Sequence, residues 1–155
     1  MTGQLRLEIR PFATTDRETV LTLWADAFPN EPAYNQSERM IARKLRVQPE
    51  LFLVAVEDGV VAGTVMAGYD GVRGWIHRLA VAQTARRRGI GTALLREAEM
   101  RLLALGCPKV NLQVRASNGG VVAFYEAAGY KVEANISMAR HIGDESGPPE
   151  GGPDA

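Results

Sequence analysis

The apolar and polar positions change period several times along this 155-residue chain, and each change marks an element. Residues 5–10, Leu5-Arg6-Leu7-Glu8-Ile9-Arg10, alternate apolar and polar, the period of a half-buried strand. Thr15-Asp16-Arg17-Glu18 then reads as a capping box, with Thr15 and Glu18 serving each other's exposed backbone donors. Val20, Leu21, Leu23, Trp24 and Ala27 fall on one side of the helix that follows. Pro29 and Pro32 interrupt the chain, and Ser37 is placed to cap a second helix carrying Met40, Ile41 and Leu45. After Pro49 the period shortens. Residues 51–56 are an apolar run, Asp58-Gly59 a tight hairpin turn, and residues 60–69 a second strand. Gly71 and Gly74 flank the turn into a third strand, residues 75–81. Residues 89–105 predict a long amphipathic helix, stopped by Gly106 with Pro108 just beyond. Residues 110–114 read as a strand, 119–128 as a short helix and 130–140 as a final strand.

This order predicts an α/β (α+β) domain. Its central sheet is mixed, mostly antiparallel because of the meander, with about six to seven strands flanked by about four helices. The length suits one core, assigned to residues 1–142. With 46% apolar and 23% charged residues the chain matches an ordinary soluble protein, and its apolar runs are too short to cross a bilayer. No secretory signal opens it, so a cytoplasmic location is expected. The single cysteine, Cys107, excludes an intramolecular disulfide and a cysteine-rich metal site, and no metal is expected.

The formal charge is zero but unevenly spread. Residues 143–155 hold Asp144, Glu145, Glu150 and Asp154 among Gly and Pro, with no base, and predict a disordered acidic tail. Without it, 18 basic residues face 14 acidic ones, too mild an excess to indicate nucleic acid.

Candidate chemistry begins at Arg86-Arg87-Arg88-Gly89-Ile90-Gly91-Thr92, between a strand and the start of the long helix. A helix start presents unpaired backbone donors and a partial positive charge, so arginines placed there are unfavourable unless an anion sits among them. Gly89 and Gly91 remove side chains that would hold such an anion away from the amides, which describes a phosphate or pyrophosphate cradle. Taken alone, the segment also reads as a solvated basic turn. It is not the phosphate loop of nucleotide hydrolases, which needs a terminal Gly-Lys-Ser/Thr. Nor is it a dinucleotide fingerprint, because the third glycine is replaced by Leu94 and the glycines do not directly follow the strand.

The spacing Arg86-x-x-Gly89-x-Gly91 resembles the coenzyme A signature of the GNAT superfamily of N-acetyltransferases, and Gly63-Thr64-Val65-Met66-Ala67-Gly68-Tyr69-Asp70-Gly71 resembles a small bacterial branch of it. Leu79-Ala80-Val81 stands where that family has a bulged strand, and Leu94-Leu95 continues the helix as the family does. Asn118, Ala123, Phe124-Tyr125-Glu126 and Gly129-Tyr130 are similar to its second signature, with Asn seven residues before Tyr. The resemblance implies a GNAT fold and acetyl-coenzyme A as co-substrate. It also implies that backbone amides of Arg87, Arg88, Gly89, Ile90, Gly91 and Thr92 hold the pyrophosphate, with Arg86 among the cofactor-binding residues. Leu79 and Val81 would pair through their main chain with the pantetheine arm, between strands 75–81 and 110–114 that splay apart, and Asn118 would touch the same arm.

Acetyl transfer to an amine needs a neutral nucleophile, a donor for the thioester oxygen and a proton for the leaving thiolate. The resemblance makes Tyr125 the acid and the Ala80 amide, at the bulge, the oxygen donor. The base is open: the family often has a glutamate where Trp75-Ile76-His77-Arg78-Leu79 carries no carboxylate. His77 is a candidate, as imidazole titrates near neutrality, and equally reads as a plain strand histidine. Asp70 and Glu31 are weaker choices through water. Cys107 reads as structural, so direct transfer in a ternary complex is expected, with no acyl-cysteine. The acceptor is an amine, a small molecule or a protein terminus or lysine; Asp26, Glu31, Glu38 and Asp70 offer a weak attraction for a cationic one. The alternative is a non-catalytic acyl-coenzyme A-binding regulatory module. No nucleic acid or membrane partner is expected, and the protein is read as a monomer or homodimer.

Overall fold

A computed structural model describes residues 6–29, 36–115 and 119–143. Within them the elements run β1 (Leu7–Pro11), α1 (Arg17–Ala27), α2 (Ser37–Lys44), β2 (Phe52–Glu57), β3 (Val60–Tyr69), β4 (Gly74–Val81), α3 (Ile90–Ala104), β5 (Val110–Leu112) and α4 (Gly119–Ala127). The strands form one five-stranded sheet in the order β1-β2-β3-β4-β5. The first three pairings are antiparallel and β4–β5 is parallel. The mixed sheet between helices is therefore as expected, with fewer strands.

Alternation along β2 explains why the sheet is covered on both sides. Leu53 and Ala55 join a cluster with Leu94, Leu95, Ala98 and Leu102 of α3, while Phe52, Val54 and Val56 join Val20, Leu23 and Trp24 of α1 and Ile41 of α2. A period of two thus fills two cores from one strand. Phe12 stacks on Phe52 with centroids 4.5 Å apart, and Trp24 stacks on the same ring at 5.9 Å.

Three local expectations are corrected. The capping box of Thr15 and Glu18 does not form: a 3-10 turn, Thr14–Asp16, precedes α1, and the Asp16 carboxylate accepts from the Ala13 amide at 2.8 Å. Arg10 from β1 clamps the same carboxylate with two hydrogen bonds, 2.8 and 3.0 Å, so the buried Asp16 is recruited by a half-exposed cation that local spacing does not show. Ser37 is the first residue of α2 rather than its cap, which is Gln36. The final strand, 130–140, does not join the sheet. Its residues 131–140 are exposed and unladdered, held to the β5 region by side chains: Glu133 to Lys109 and Asn111, and Ser137 to Gln113. Val132, Ile136 and Met138 keep the period of a strand, but with neither face covered nothing favours a regular ladder. The expected acidic tail beyond Gly143 lies outside the described residues.

Two features prepare the site. Gly63 on β3 lies under α3: a Cβ there would stand 2.9 Å from the Ala80 carbonyl oxygen and 3.0 Å from Leu94 Cδ1. Only glycine lets the start of α3 press this closely on the sheet. The second feature is a bulge. The register moves from Thr64↔Ala80 to Met66↔His77, and Arg78 adopts a left-handed φ of 54°. An extra residue in β4 places two neighbours on one face and bends the strand.

Candidate active site

Where the α3 N-terminus meets β4 and α4 lies a cavity of about 610 Å³, lined among others by Leu79, Ala80, Val81, Ile90, Thr92 and Tyr125. The helix opens with Gly89 at φ 78°, a left-handed position no β-branched residue would take, and no side chain caps it. The first bond back along the chain is from the Ala93 amide to the Gly89 carbonyl, 2.9 Å, so the amides before it have no partner within the helix. Arg87, with φ 67°, is left-handed as well. Consecutive main-chain donors with the positive end of α3 behind them make an anion nest.

The arginine triplet divides. Arg86 and Arg87 line the cavity. Arg86 Nε donates to the Val81 carbonyl at 3.2 Å, pinning the loop to the end of β4. Arg88 turns away, in an ion pair with Glu57 at 2.7 Å and a hydrogen bond to the Thr84 carbonyl at 3.2 Å. Its side chain therefore anchors the loop to the β2–β3 hairpin rather than facing the cavity, leaving only its backbone at the loop.

Beside the loop, β4 has an open edge. β5 pairs only with Gly74, Trp75 and Ile76, so the two strands part beyond Ile76, as the resemblance implied. The antiparallel ladder decides which amides face the gap. Ala82 donates to the Ala62 carbonyl at 2.8 Å, so Ala80, two residues earlier, also turns its amide to β3, while Leu79 and Val81 turn theirs to the open edge. Ala80 thus lines the cavity without aiming its amide into it, whereas the Leu79 amide faces the open edge. Asn118 lies outside the described residues.

Tyr125 projects from α4 into the cavity and is 9% exposed. Phe124 packs edge-on against it at 5.1 Å and Tyr130 at 5.7 Å. The Tyr130 amide donates to the Tyr125 carbonyl at 2.9 Å, and the Tyr130 hydroxyl donates to Glu99 of α3 at 2.6 Å, so α4 is fastened to α3 from behind the ring. Burial pushes the Tyr125 phenol up to about 12. It stays protonated throughout the ordinary pH range, a donor held among apolar neighbours.

On the opposite face of the sheet the bulge brings His77 and Arg78 together. The Arg78 guanidinium lies 5.0 Å from the Trp24 ring centroid and 4.5 Å from that of Phe28, with Nε 3.2 Å from Met40 Sδ. Lys44, at the end of α2, reaches the same face and donates to the Ala67 carbonyl. His77 is solvent-accessible, yet desolvation first, then the charges of Lys44 and Arg78, hold its imidazole below its ordinary value. Desolvation likewise lowers Lys44.

The remaining candidates scatter. Asp70 caps the β3–β4 turn: Oδ1 accepts from the Val72 and Arg73 amides at 2.8 Å each, and Oδ2 from Trp75 Nε1 at 3.3 Å. Those backbone bonds hold its carboxyl below the usual range, which makes it a poor base. Glu38 pairs with Arg17 at 3.4 Å, Asp26 is exposed, and Glu31 lies outside the described residues. Cys107 is buried, its Sγ 2.8 Å from where a Cβ on Gly74 would stand. Gly74 begins β4, roughly 23 Å of strand away from Val81. Among the described residues, no three His, Cys, Asp or Glu side chains are grouped to hold a metal ion, and no helix is long and apolar enough to cross a membrane.

Several residues at the site escape sequence reading. Gly120, Val121 and Phe124 line the cavity too. The glycines opening α4 leave open space there, since a Cβ at Gly119 or Gly120 would meet nothing within 4 Å. Thr64 is fully buried, accepting from Trp24 Nε1 at 2.9 Å and donating to the Arg78 carbonyl at 2.8 Å. A hydroxyl amid apolar strand residues was its signal.

The sequence profile of the acetyltransferase (GNAT) family matches residues 17–130. A protein named acetyltransferase from Yersinia enterocolitica is 41% identical over 136 residues, 88% of this chain and 96% of that protein. Another so named, from Sodalis glossinidius, is 44% identical over 132 residues, covering 85% and 92%. Among solved structures, PaiA N-acetyltransferase from Thermoplasma acidophilum in complex with coenzyme A is similar with a TM-score of 0.71 and 26% identity, over 84% of this chain and 93% of that one.

Proposed function

The chain belongs to the GNAT acetyltransferase family, and on that premise we propose that it moves an acetyl group from acetyl-coenzyme A directly to a primary amine, both substrates being bound together in the cytoplasm. One observation carries the reading. The uncapped start of α3, the open edge of β4 and the buried Tyr125 hydroxyl face a single cavity.

Each part fits a segment of the co-substrate. The α3 amides and the loop of Arg86 and Arg87 suit the diphosphate, since donors, dipole and positive side chains point one way. Leu79 and Val81 offer strand-like hydrogen bonds to an arm that itself carries amides. When bound, the thioester supplies an activated acetyl group. The Leu79 amide is then the donor for its oxygen, and Tyr125, protonated at neutral pH, gives a proton to the departing sulfur. His77, kept neutral near pH 7 by its surroundings, accepts the proton of the amine, directly or through water.

Calorimetry with coenzyme A and a thiol-release assay with acetyl-coenzyme A over a broad amine panel test this together. Binding and amine-dependent thiol release are expected. Binding without release from any amine would instead mark a regulatory module, and absence of binding would remove the whole reading.

A further inference from the structure

The helix that carries Tyr125 is poorly equipped to hold itself in place. Its 9 residues fall short of the length at which a helix stands alone, and Tyr125 is the one residue of α4 that is buried. Gly119 and Gly120 open the helix without side chains to pack. The far end is gripped instead. Gly129, left-handed with a φ of 100°, ends the helix and turns the chain. The Tyr130 amide thereby reaches the Tyr125 carbonyl, and the two rings meet edge-on. Arg96 of α3 donates through Nη2 to the Ala128 carbonyl at 2.8 Å, one of the acceptors that a helix end leaves over. Glu99, one turn along α3, joins both contacts. Its Oε1 accepts from Arg96 Nη1 at 2.8 Å, and its Oε2 from the Tyr130 hydroxyl at 2.6 Å.

A charge-assisted bond of this kind fixes direction more strictly than ring packing, and here it acts on the ring that lies against Tyr125. Burial and the bond to Glu99 hold the Tyr130 phenol above its ordinary range, so its hydroxyl stays a donor at neutral pH. Arg96 and Glu99 lie roughly 10–15 Å along the helix axis from Gly89, where the anion nest opens. One helix thus sets both the nest and the buried phenol. We propose that Glu99, oriented by Arg96, is a positioning residue: through the Tyr130 hydroxyl it fixes the Tyr125 hydroxyl for proton transfer to the leaving sulfur. This rests on the transferase reading with Tyr125 as its acid, and adds the residues that aim that acid. A misplacement of about 1 Å is enough to cost a large part of a rate, while a diphosphate held at the other end of α3 is unmoved.

The test uses the full chain, acetyl-coenzyme A and the fastest acceptor among glycinamide, spermidine and a lysine-containing peptide. Glu99→Ala and Tyr130→Phe are each expected to lower kcat by about tenfold, with the coenzyme A dissociation constant changed by less than about twofold. Tyr130→Phe keeps the ring against Tyr125, which guards against a variant that fails to fold. Glu99→Gln is expected to regain most of the kcat lost in Glu99→Ala, since its amide oxygen accepts from Arg96 and its Nε2 donates to the Tyr130 oxygen. The deciding readout is a double-mutant cycle. In a Tyr125→Phe background, Glu99→Ala and Tyr130→Phe should each cost less than about twofold further, because the group they aim is gone. A loss that persists in full in that background would mark a general packing role and overturn the inference. If the wild type acetylates none of the three acceptors, the transferase reading falls and the inference with it. If it acetylates one and both single variants keep its kcat, the inference falls alone.

Discussion

The Thr64 hydroxyl donates a 2.8 Å hydrogen bond to the carbonyl of Arg78, the residue whose left-handed backbone makes the bulge in β4. Trp24 Nε1 donates to the same hydroxyl from behind, at 2.9 Å. A core tryptophan on α1 is thereby connected, through one side chain, to the strand edge on which the thioester is proposed to lie. Replacing Thr64 by the near-isosteric Val strips partners from two buried groups at once, a cost of about 2–4 kcal/mol. Thermal melting should fall by about 5–15 °C, and kcat should drop more than coenzyme A affinity, because the bulge relaxes while the α3 loop stays. A variant with wild-type melting and turnover would show that the bulge needs no such support.

Tyr125→Phe keeps the ring contacts with Phe124 and Tyr130 and removes only the hydroxyl. Turnover is expected to fall by tens-fold or more, the scale of a general acid, with the coenzyme A dissociation constant little changed. Since burial raises the phenol to about 12, it is protonated below that value, and the wild-type rate should show no basic limb from this group under pH 10. Steady-state kinetics beside calorimetry checks both; full activity in the variant would strip Tyr125 of the role.

For His77 the sign runs the other way. An imidazole whose pKa is lowered from 6.5 is neutral, and able to accept a proton, above that point and loses the ability as pH falls through it. The acidic limb of kcat/KM should therefore lie below pH 6.5 and vanish or move in His77→Gln, with the rate reduced at neutral pH. An identical limb in the variant would assign the base elsewhere.

Asp16 supports the fold rather than the chemistry. Arg10 and the Ala13 amide hold its buried carboxyl below the ordinary 3.8, so its contribution is present above that value and lost as pH drops through the lower, folded one. Asp16→Asn should cost about 1.5–3 kcal/mol at pH 7, and the difference should narrow toward pH 3. Urea titrations at both pH values provide the measurement, and an equal gap at each would contradict it.

What the chain discloses on inspection is what local spacing encodes. Gly89 and Gly91 after an arginine run, the amphipathic α3 and Tyr125 behind a glycine-rich helix start are all readable within a few residues. The rest depends on distant partners. That the Arg88 side chain turns from the cavity is decided by Glu57, and that the Asp16 carboxylate reaches back to the Ala13 amide is decided by Arg10. The Ala80 amide is turned by the register of β3, which a one-residue bulge resets. Residues 130–140 show the opposite failure, with a strand's alternation but no neighbour's backbone to complete it. Lys44 and His77 are 33 positions apart, and no periodicity joins a helix end to a sheet face across the fold.

The unsatisfied start of α3 also reaches beyond recognition. A helix whose opening turn lacks an internal cap is finished by whatever anion docks there, so part of the molecule's cohesion is lent by its co-substrate. At a ligand excess of a hundred dissociation constants the loan amounts to about 2.7 kcal/mol against unfolding. A cell's supply of acyl-coenzyme A would then govern the lifetime of the protein as well as its rate.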